Sequence, residues 1–319
     1  MKRIAVGIDV GGTNSAFGFV DSGGNIIASG NIKTDITDDF DVYLNLLTSE
    51  INNVFNTIQG EYEIDGYGIG APNGNYFHGT IENAPNLRWK GKIEFTKKLS
   101  AFTGKPAYLT NDANAAAIGE KIFGKAKDLN DFVVITLGTG LGSGIYCGGK
   151  LLYGHTSQAG EVGHIIVEKN GRLCGCGRKG CLERYASATG IKLTANELLK
   201  NTNRKSLLRN YPENEIGSKL IYECAVKGDE LAMECFDFTG EILGRALANV
   251  TAVLSPEAIF LFGGLALAGD LIFNPVRKYC EENLLNVFKN TVKIEKSGLK
   301  ENSAAILGAA ALFYSESGI

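Results

Sequence analysis

Long apolar runs and clusters of a single charge are both missing from this chain of 319 residues. Met1-Lys2-Arg3 leads into only a short apolar run before Asp9, so no signal peptide is expected, and no stretch approaches the roughly 20 apolar residues of a membrane helix. The 35 acidic and 32 basic residues form no basic stripe, which makes nucleic acid and membrane poor candidate partners. These absences predict a cytoplasmic protein.

Cysteine is scarce and odd in number, with seven residues, which argues against a disulfide framework in a protein without a signal peptide. Four of the cysteines are scattered along the chain, and we expect them to be reduced and buried: Cys147, Cys224, Cys235 and Cys280.

The other three cysteines fall in one segment with one of the three histidines. His164 precedes Cys174-Gly175-Cys176 and Cys181, and thiolates and imidazole are ligands that Zn²⁺ prefers in closed tetrahedral sites. Scattered reduced thiols are the alternative, but four candidate ligands in so short a span favour a metal. Glu161 and Glu183 bracket the cluster, so a metal would hold both carboxylates and His164 near one another.

Glycine is abundant, with 41 residues, and it follows three predicted buried strands at 4–9, 132–137 and 258–262. The glycine turns are 10–14, 138–144 and 263–264. Such turns let the backbone approach a ligand and can form an anion site, although Gly-Gly also suits an ordinary hairpin. Asp9 favours phosphate binding at the first turn, because a cation can bridge an acid and a phosphate.

A short predicted strand at 106–110 leads into Asn111-Asp112 and an alanine-rich helix start. Asp112 could simply be the N-cap of that helix, which is the commoner role of aspartate at such a position. It also lies at the carboxyl end of a strand, however, where open α/β sheets present groups that contact ligands.

Apolar spacing predicts a helix at 44–58 that ends at Gly60, and a long helix that ends before Ser255-Pro256. Small residues from Ser303 onward predict a closely packed last helix. Trp89 either packs in the core or stacks on a ligand. At this length, two lobes around a cleft are the expected organisation.

The chain resembles the sugar kinases of the repressor, open-reading-frame and kinase family (ROK) in five features, which are Asp9-x-Gly11-Gly12-Thr13, Asn111-Asp112, Leu137-Gly138-Thr139-Gly140-x-Gly142, the cysteine cluster and Gly263-Gly264. The most specific pattern is Glu161-x-x-His164 followed by Cys174-x-Cys176 and Cys181-x-Glu183. The resemblance implies an α/β protein with the two-lobed actin-like ATPase fold, in which two ribonuclease-H-like lobes surround a cleft. The small lobe would comprise residues 1–115 plus 303–319, and the large lobe, with its zinc-binding loop, residues 116–302.

The resemblance also implies ATP-dependent phosphorylation of a hexose, glucose to glucose 6-phosphate, with Mg²⁺. Asp112 would be the catalytic base and would bind the sugar together with Asn111, Glu161, His164 and Glu183. A structural Zn²⁺ would be held by His164, Cys174, Cys176 and Cys181. The nucleotide would be bound by Asp9, Gly11, Gly12, Thr13, Asn14, Gly138, Thr139 and Gly140, and Gly263 and Gly264 would lie near its nucleoside.

Three alternatives stay open at this point. Glucose kinases of the family often have a second glycine after the proline of the sugar loop, whereas this chain has Pro72-Asn73-Gly74, so the enzyme could instead be a fructokinase or an N-acetylhexosamine or N-acetylmannosamine kinase. A non-catalytic sugar-sensing regulator is the alternative of another class. Because the first strand begins near Ile4, no DNA-binding domain is expected; the expected partners are hexose, ATP and a second copy in a homodimer.

Overall fold

The structure, a computed structural model, describes residues 1–318, apart from the side chains of residues 301 and 302. Its strands are β1 (Lys2–Val10), β2 (Asn14–Asp21), β3 (Ile26–Lys33), β4 (Tyr62–Gly70), β5 (Gly74–Asn75), β6 (Thr80–Glu82), β7 (Lys92–Ile93), β8 (Ala107–Thr110), β9 (Phe132–Leu137), β10 (Leu141–Cys147), β11 (Lys150–Leu151), β12 (Ala258–Phe262) and β13 (Lys293–Lys296). Its α-helices are α1 (Phe40–Phe55), α2 (Phe95–Thr103), α3 (Asp112–Ile122), α4 (Ala188–Asn201), α5 (Ser218–Val226), α6 (Glu230–Leu254), α7 (Asp270–Asn283) and α8 (Glu301–Ser317).

Two five-stranded sheets of the same topology organise these residues. The strand orders are β3-β2-β1-β4-β8 and β11-β10-β9-β12-β13. In each sheet an antiparallel meander of three strands is extended by two parallel strands. The two predicted strand–turn–strand units, β1–β2 and β9–β10, therefore occupy equivalent places in the two sheets.

The first sheet is covered on both faces. Phe17 and Phe19 of β2 pack with Tyr43 and Leu47 of α1 on one face, while Val20 packs with α8 on the other. This alternation follows from the two-residue period of a strand. The first sheet thus has helix α1 and helix α8 on opposite sides.

Helices α3 and α8 approach each other very closely at a pair of glycines. A Cβ atom added to Gly119 would lie 2.9 Å from the Cα of Gly308. Helix α3 also packs on β9 and β10, whereas α8 packs on β1 and β4. Helix α3, which begins at Asp112, therefore stands between the two sheets. The first sheet lies within residues 1–115 and the second within 116–302, but the assignment of the chain to lobes stays a prediction, and Ile319 lies outside the described residues.

Several predicted boundaries differ from the observed ones. Helix α1 begins at Phe40 and ends at Phe55, with Asn56 and not Gly60 as its C-cap, and Ile58 packs on the core from the turn that follows the helix. Helix α8 begins at Glu301, two residues before Ser303. The second glycine turn is only residues 138–140, because Leu141 already pairs with Leu137.

The burial of Trp89 and of Cys147 can be compared with the predictions. Trp89 is buried, with its ring 4.3 Å from that of Tyr43, so it belongs to the core. Cys147 is exposed, contrary to expectation, because it is the last residue of β10, at the hairpin end where the chain leaves the sheet. Among the described helices, none combines the length and the apolar character needed to span a membrane.

Candidate active site

A cavity of about 580 Å³ opens between the two sheets. Its lining includes nine of the residues predicted to bind substrate or nucleotide, which are Asp9, Asn111, Asp112, Gly138, Thr139, Gly140, Glu161, Glu183 and Gly263. The other predicted residues, which are Gly11, Gly12, Thr13, Asn14, His164 and Gly264, are not among the lining residues. The cavity therefore brings together carboxylates from both halves of the chain.

Asp112 lies where β8 gives way to α3. Asn111, and not Asp112, is the N-cap of the helix, because the Oδ1 atom of Asn111 accepts a hydrogen bond of 2.6 Å from the backbone N–H of Asn114. The expectation that Asp112 could be the N-cap is therefore wrong. As the first helical residue, Asp112 accepts a bond of 2.8 Å from the N–H of Ala113 through Oδ1 and faces the cavity.

The cavity makes the charge of Asp112 costly. The residue keeps exposed surface in the open cleft, but the protein packed around the carboxyl group displaces part of the water that would solvate its charge. Burial therefore raises the pKa of Asp112, although hydrogen bonds from the backbone of Ala113 and Asp112 partly offset the shift. A raised pKa brings a carboxylate closer to the value that suits a general base near neutral pH.

Asp9 is the second carboxylate of the cavity whose negative charge is unfavourable. Burial, followed by the negative charge of Asp112, raises the pKa of Asp9 to about 6. Two carboxylates that disfavour each other's charge in one cavity are relieved by a cation between or beside them. The donor set at Asp9 and Asp112 thus fits a hard divalent cation, which takes oxygen ligands.

A 3₁₀ turn at Val162–His164 places the next pair of side chains. Gly163 is required in that turn, because a Cβ atom there would overlap the carbonyl group of Leu141 in β10. The turn brings the Nε2 atom of His164 to 3.9 Å from the Oε2 atom of Glu161. Burial raises the pKa of Glu161; the nearby His164 opposes that shift, whereas the charges of Asp112 and Glu183 add to it.

The four predicted metal ligands meet in one cluster. The ligand atoms of His164, Cys174, Cys176 and Cys181 all lie within 4.8 Å of one another. The Sγ atoms of Cys176 and Cys181 are 3.6 Å apart, and the Sγ atom of Cys174 is 3.7 Å from Nδ1 of His164. Thiolates about 2.3 Å from a tetrahedral Zn²⁺ would be separated by about 3.7 Å, so the cluster fits this ion.

The protonation of Cys176 agrees with this assignment. Hydrogen bonds from the backbone and side chain of Arg178 lower the pKa of the Cys176 thiol to about 6, whereas burial raises the pKa of the Cys174 and Cys181 thiols. The thiolate is the form that binds metals. Because Nδ1 of His164 faces Cys174 while Nε2 faces Glu161, this one ring lies between the cysteine cluster and the side chain of a cavity residue.

The chain after the cluster supports the second glycine turn, and sequence reasoning missed this contact. The N–H of Ala188 donates to the carbonyl of Gly138 at 2.9 Å, and the hydroxyl of Thr189 donates to the carbonyl of Thr139 at 2.7 Å. A Cβ atom on Gly140 would lie 2.8 Å from Oε2 of Glu183. Nothing in the local pattern of residues 187–190 signals these bonds, because their partners are about 50 residues away.

Sequence reasoning also missed several polar side chains of the cavity, among them Asn86 and Gln158. Asn86 precedes Trp89 by three residues. Its backbone oxygen lies 2.9 Å from the position of a Cβ atom on Gly12, so it supports the first turn directly. Neither Asn86 nor Gln158 belongs to a periodic pattern that would have signalled it.

Comparison with known proteins places the chain in a family. The model of the ROK family matches residues 5–316. A glucokinase of Thermotoga maritima is 33% identical over 314 residues, which cover 98% of this chain and 97% of that relative. The crystal structure of a ROK family glucokinase from Streptomyces griseus in complex with glucose and AMPPNP is similar with a TM-score of 0.80 and 32% identity, covering 97% of this chain and 98% of that chain.

A regulator is also similar. The crystal structure of a ROK family transcriptional regulator, a homolog of the E. coli MLC protein, has a TM-score of 0.87 at 27% identity and covers 99% of this chain but 78% of that chain. Together with the repeated sheet topology, these likenesses confirm the predicted two-lobed actin-like ATPase fold.

Proposed function

The chain belongs to the ROK family, and we propose that it transfers the terminal phosphoryl group of ATP to a hydroxyl group of glucose. The observation that carries the proposal is the position of Asp112, a carboxylate of raised pKa that faces a cavity also lined by Asp9 and the second glycine turn. The near full-length likeness to glucokinases, one of them crystallised with glucose and AMPPNP, supports glucose as acceptor and ATP as donor.

Asp112 is proposed to accept the proton of the attacking sugar hydroxyl. Phosphoryl transfer through a loose transition state depends mainly on positioning and charge stabilisation, so Asp112 orients the hydroxyl as well as deprotonating it. Asn111 uses its Oδ1 atom as the helix cap, which leaves its Nδ2 group to donate to a sugar oxygen. The two neighbours thus supply an acceptor and a donor at the start of α3.

Glu161, His164 and Glu183 are proposed to bind the other sugar hydroxyls. A carboxylate accepts hydroxyl hydrogens in fixed directions, which suits a polyol. His164 presents Nε2 toward Glu161 while Nδ1 faces Cys174. An imidazole whose Nδ1 is bound to a metal keeps its Nε2–H as a donor, so the metal cluster would fix the donor that the sugar meets.

Two ions are part of the proposal. Mg²⁺ would be held near Asp9 and would neutralise charge on the phosphoryl oxygens of ATP. Zn²⁺ would be held by His164 and the three cysteines of the cluster, where its role is to hold the fold of the loop. The glycine turns would surround the phosphates, and Gly263, whose φ of 103° requires glycine, would lie near the nucleoside together with Gly264. The family resemblance further leads us to propose a homodimer, which light scattering after size-exclusion chromatography tests.

An assay that couples ADP formation to a detectable signal tests the proposal across glucose, fructose, mannose, N-acetylglucosamine and N-acetylmannosamine. We expect the highest kcat/KM with glucose. A preference for fructose or for an N-acetylated hexosamine would replace the acceptor and keep the enzyme class. Sugar binding without ADP formation from any of the five would contradict the kinase and favour a sugar-sensing regulator, the activity suggested by the likeness to a ROK regulator.

A further inference from the structure

Tyr43 of α1 is a fully buried tyrosine whose hydroxyl group lies beneath the first glycine turn. Its side chain has 0% exposure, and its hydroxyl donates a hydrogen bond of 2.7 Å to Oγ of Ser15. Ser15 is the residue that follows Asn14, where the turn ends and β2 begins. A polar contact in the core therefore lies one residue from the turn proposed to surround the ATP phosphates.

The hydroxyl of Tyr43 begins a chain of three buried hydroxyl groups. The Oγ atom of Ser15 is 2.7 Å from Oγ1 of Thr34, and both side chains belong to residues with no more than 2% exposure. The N–H of Thr34 in turn donates to the carbonyl of Thr13, inside the turn, at 2.9 Å. Because a buried polar group without a partner is costly, the chain holds the exit of the turn at a fixed place on the core.

The ring of Tyr43 reaches a second support of the same turn. It lies 4.3 Å from the ring of Trp89 in the segment that also carries Asn86. The backbone oxygen of Asn86 approaches Gly12 so closely that a Cβ atom there would lie 2.9 Å away. Tyr43 thus contacts both Ser15, which holds one end of the turn, and the segment that packs against the middle of the turn.

The hydroxyl of Tyr43 stays protonated under ordinary conditions. Burial, together with the charge of Asp9, raises the pKa of Tyr43 far above neutral pH, although the bond to Ser15 opposes the shift. The group is therefore a permanent donor. It cannot be the catalytic base, and its contribution has to come from geometry.

We propose that Tyr43 is a positioning residue for ATP, which fixes the first glycine turn (residues 10–14) through Ser15 and Thr34 and sets it against the segment of Asn86 and Trp89. The inference rests on the proposed kinase function. It assigns to Tyr43 no contact with a substrate, since the residue is enclosed in the core of the first sheet.

Tyr314 provides a matched control. It too is a buried tyrosine, it packs on the opposite face of the same sheet, and its hydroxyl donates to the carbonyl of Val20 at 2.7 Å and accepts from the N–H of Ala5 at 3.2 Å. These partners lie far along β1 and β2 from the turn. Tyr314→Phe therefore removes a buried hydroxyl of the same kind without touching the support of the turn.

The test compares Tyr43→Phe with Tyr314→Phe. We expect both variants to lose thermal stability, but only Tyr43→Phe to weaken AMPPNP binding, by roughly 3- to 10-fold as for the loss of one buried hydrogen bond, with glucose affinity unchanged. Equal AMPPNP affinity in the two variants, or an equal loss of glucose affinity in Tyr43→Phe, would overturn the proposal. Ser15→Ala should reproduce the effect, and adding Tyr43→Phe to it should weaken binding little further; full additivity would contradict a shared chain.

Hydrogen exchange without any ligand separates this inference from the proposed function. Amide exchange in residues 11–14 should be faster in Tyr43→Phe than in the wild type and unchanged in Tyr314→Phe. Equal exchange in all three proteins would contradict the positioning role. A wild-type protein that phosphorylates no hexose would overturn the proposed function and leave this comparison valid.

Discussion

The two glycine turns have the same place in two sheets of the same topology, yet they are held by different parts of the chain. The first turn, residues 10–14, is supported by hydroxyl groups of the core and by the segment of Asn86. The second, residues 138–140, is supported by Ala188 and Thr189, which follow the cysteine cluster and Glu183. One turn therefore depends on packing near it, and the other on a loop that a metal would fold.

This difference has a functional consequence. Glu183 follows Cys181 by two residues and lies against Gly140, so a single segment supports both a proposed sugar ligand and a proposed phosphate turn. The hydroxyl of Ser187 donates to the carbonyl of Glu183 and caps α4 by accepting from the N–H of Gly190. A change in the structure of the cysteine cluster should therefore alter both the proposed sugar site and the second turn, and should leave the first turn unchanged.

Asp112→Asn should have the largest effect on kcat. It should not change the structure of either glycine turn. Loss of a general base costs roughly 10²- to 10⁴-fold in kcat, whereas affinities for AMPPNP and glucose should change little. Steady-state kinetics and calorimetry measure both quantities. If AMPPNP affinity fell as far as kcat, Asp112 would be part of the nucleotide site rather than the base.

The same substitution should raise stability. Because burial raises the pKa of Asp112 in the folded protein, the folded state binds its proton more tightly than the unfolded state, and stability falls as pH rises through that pKa. The charge of Asp112 is therefore unfavourable for folding, and Asp112→Asn, which removes that charge, should unfold at a slightly higher temperature above that pKa, the gain being small because the residue keeps exposed surface in the cleft. A lower melting temperature at pH 7 would show that the carboxylate is stabilised by its hydrogen bonds after all.

Lowering the pH should weaken ligand binding at the first turn and not at the second, because Asp9 directly precedes the first turn. With its pKa at about 6, Asp9 is mostly ionised at pH 7 and mostly protonated at pH 5. The affinity for Mg²⁺ and AMPPNP should therefore fall up to about tenfold over that range, following the ionised fraction. Asp9→Asn should bind weakly at both pH values; an equally steep pH dependence in this variant would assign the effect to another group.

Matched glycine substitutions in the two turns should raise the KM of different substrates. In Gly140→Ala the new methyl group would displace the carboxylate of Glu183, and we expect the KM for glucose to rise roughly 3- to 10-fold. In Gly12→Ala it would press on the backbone of Asn86, and the KM for ATP should rise instead. Gly217→Ala, where a Cβ atom meets nothing within 4 Å, is the control. The same kinetic change in both turn variants would break the distinction between the turns.

The sequence predicted the parts of this molecule that depend on neighbouring residues. The buried strands before the three glycine turns, the Cys and His residues that meet in one cluster and the residues at the end of β8 are all visible as local patterns. The helix ends were less accurate, since Ile58 shows that an apolar residue can pack on the core from a turn.

The contacts that hold the two turns in place could not be predicted from local sequence patterns. Thr189 bonds to a carbonyl 50 residues away, and Tyr43 meets Ser15 across 28 residues, so neither contact leaves a periodic signal. Likewise, Asn111 rather than Asp112 caps α3, because the cap depends on which side chain can reach the N–H of Asn114. Such choices are decided by backbone geometry that only the folded chain supplies.

Hydrogen exchange of zinc-loaded and chelator-treated protein tests the contrast between the turns most directly. We predict that removal of zinc speeds exchange in residues 138–140 and 183–190 and leaves residues 10–14 unchanged, because only the former are tied to the segment that follows the cysteine cluster. Equal acceleration in both turns, or no change in residues 138–140, would contradict the account.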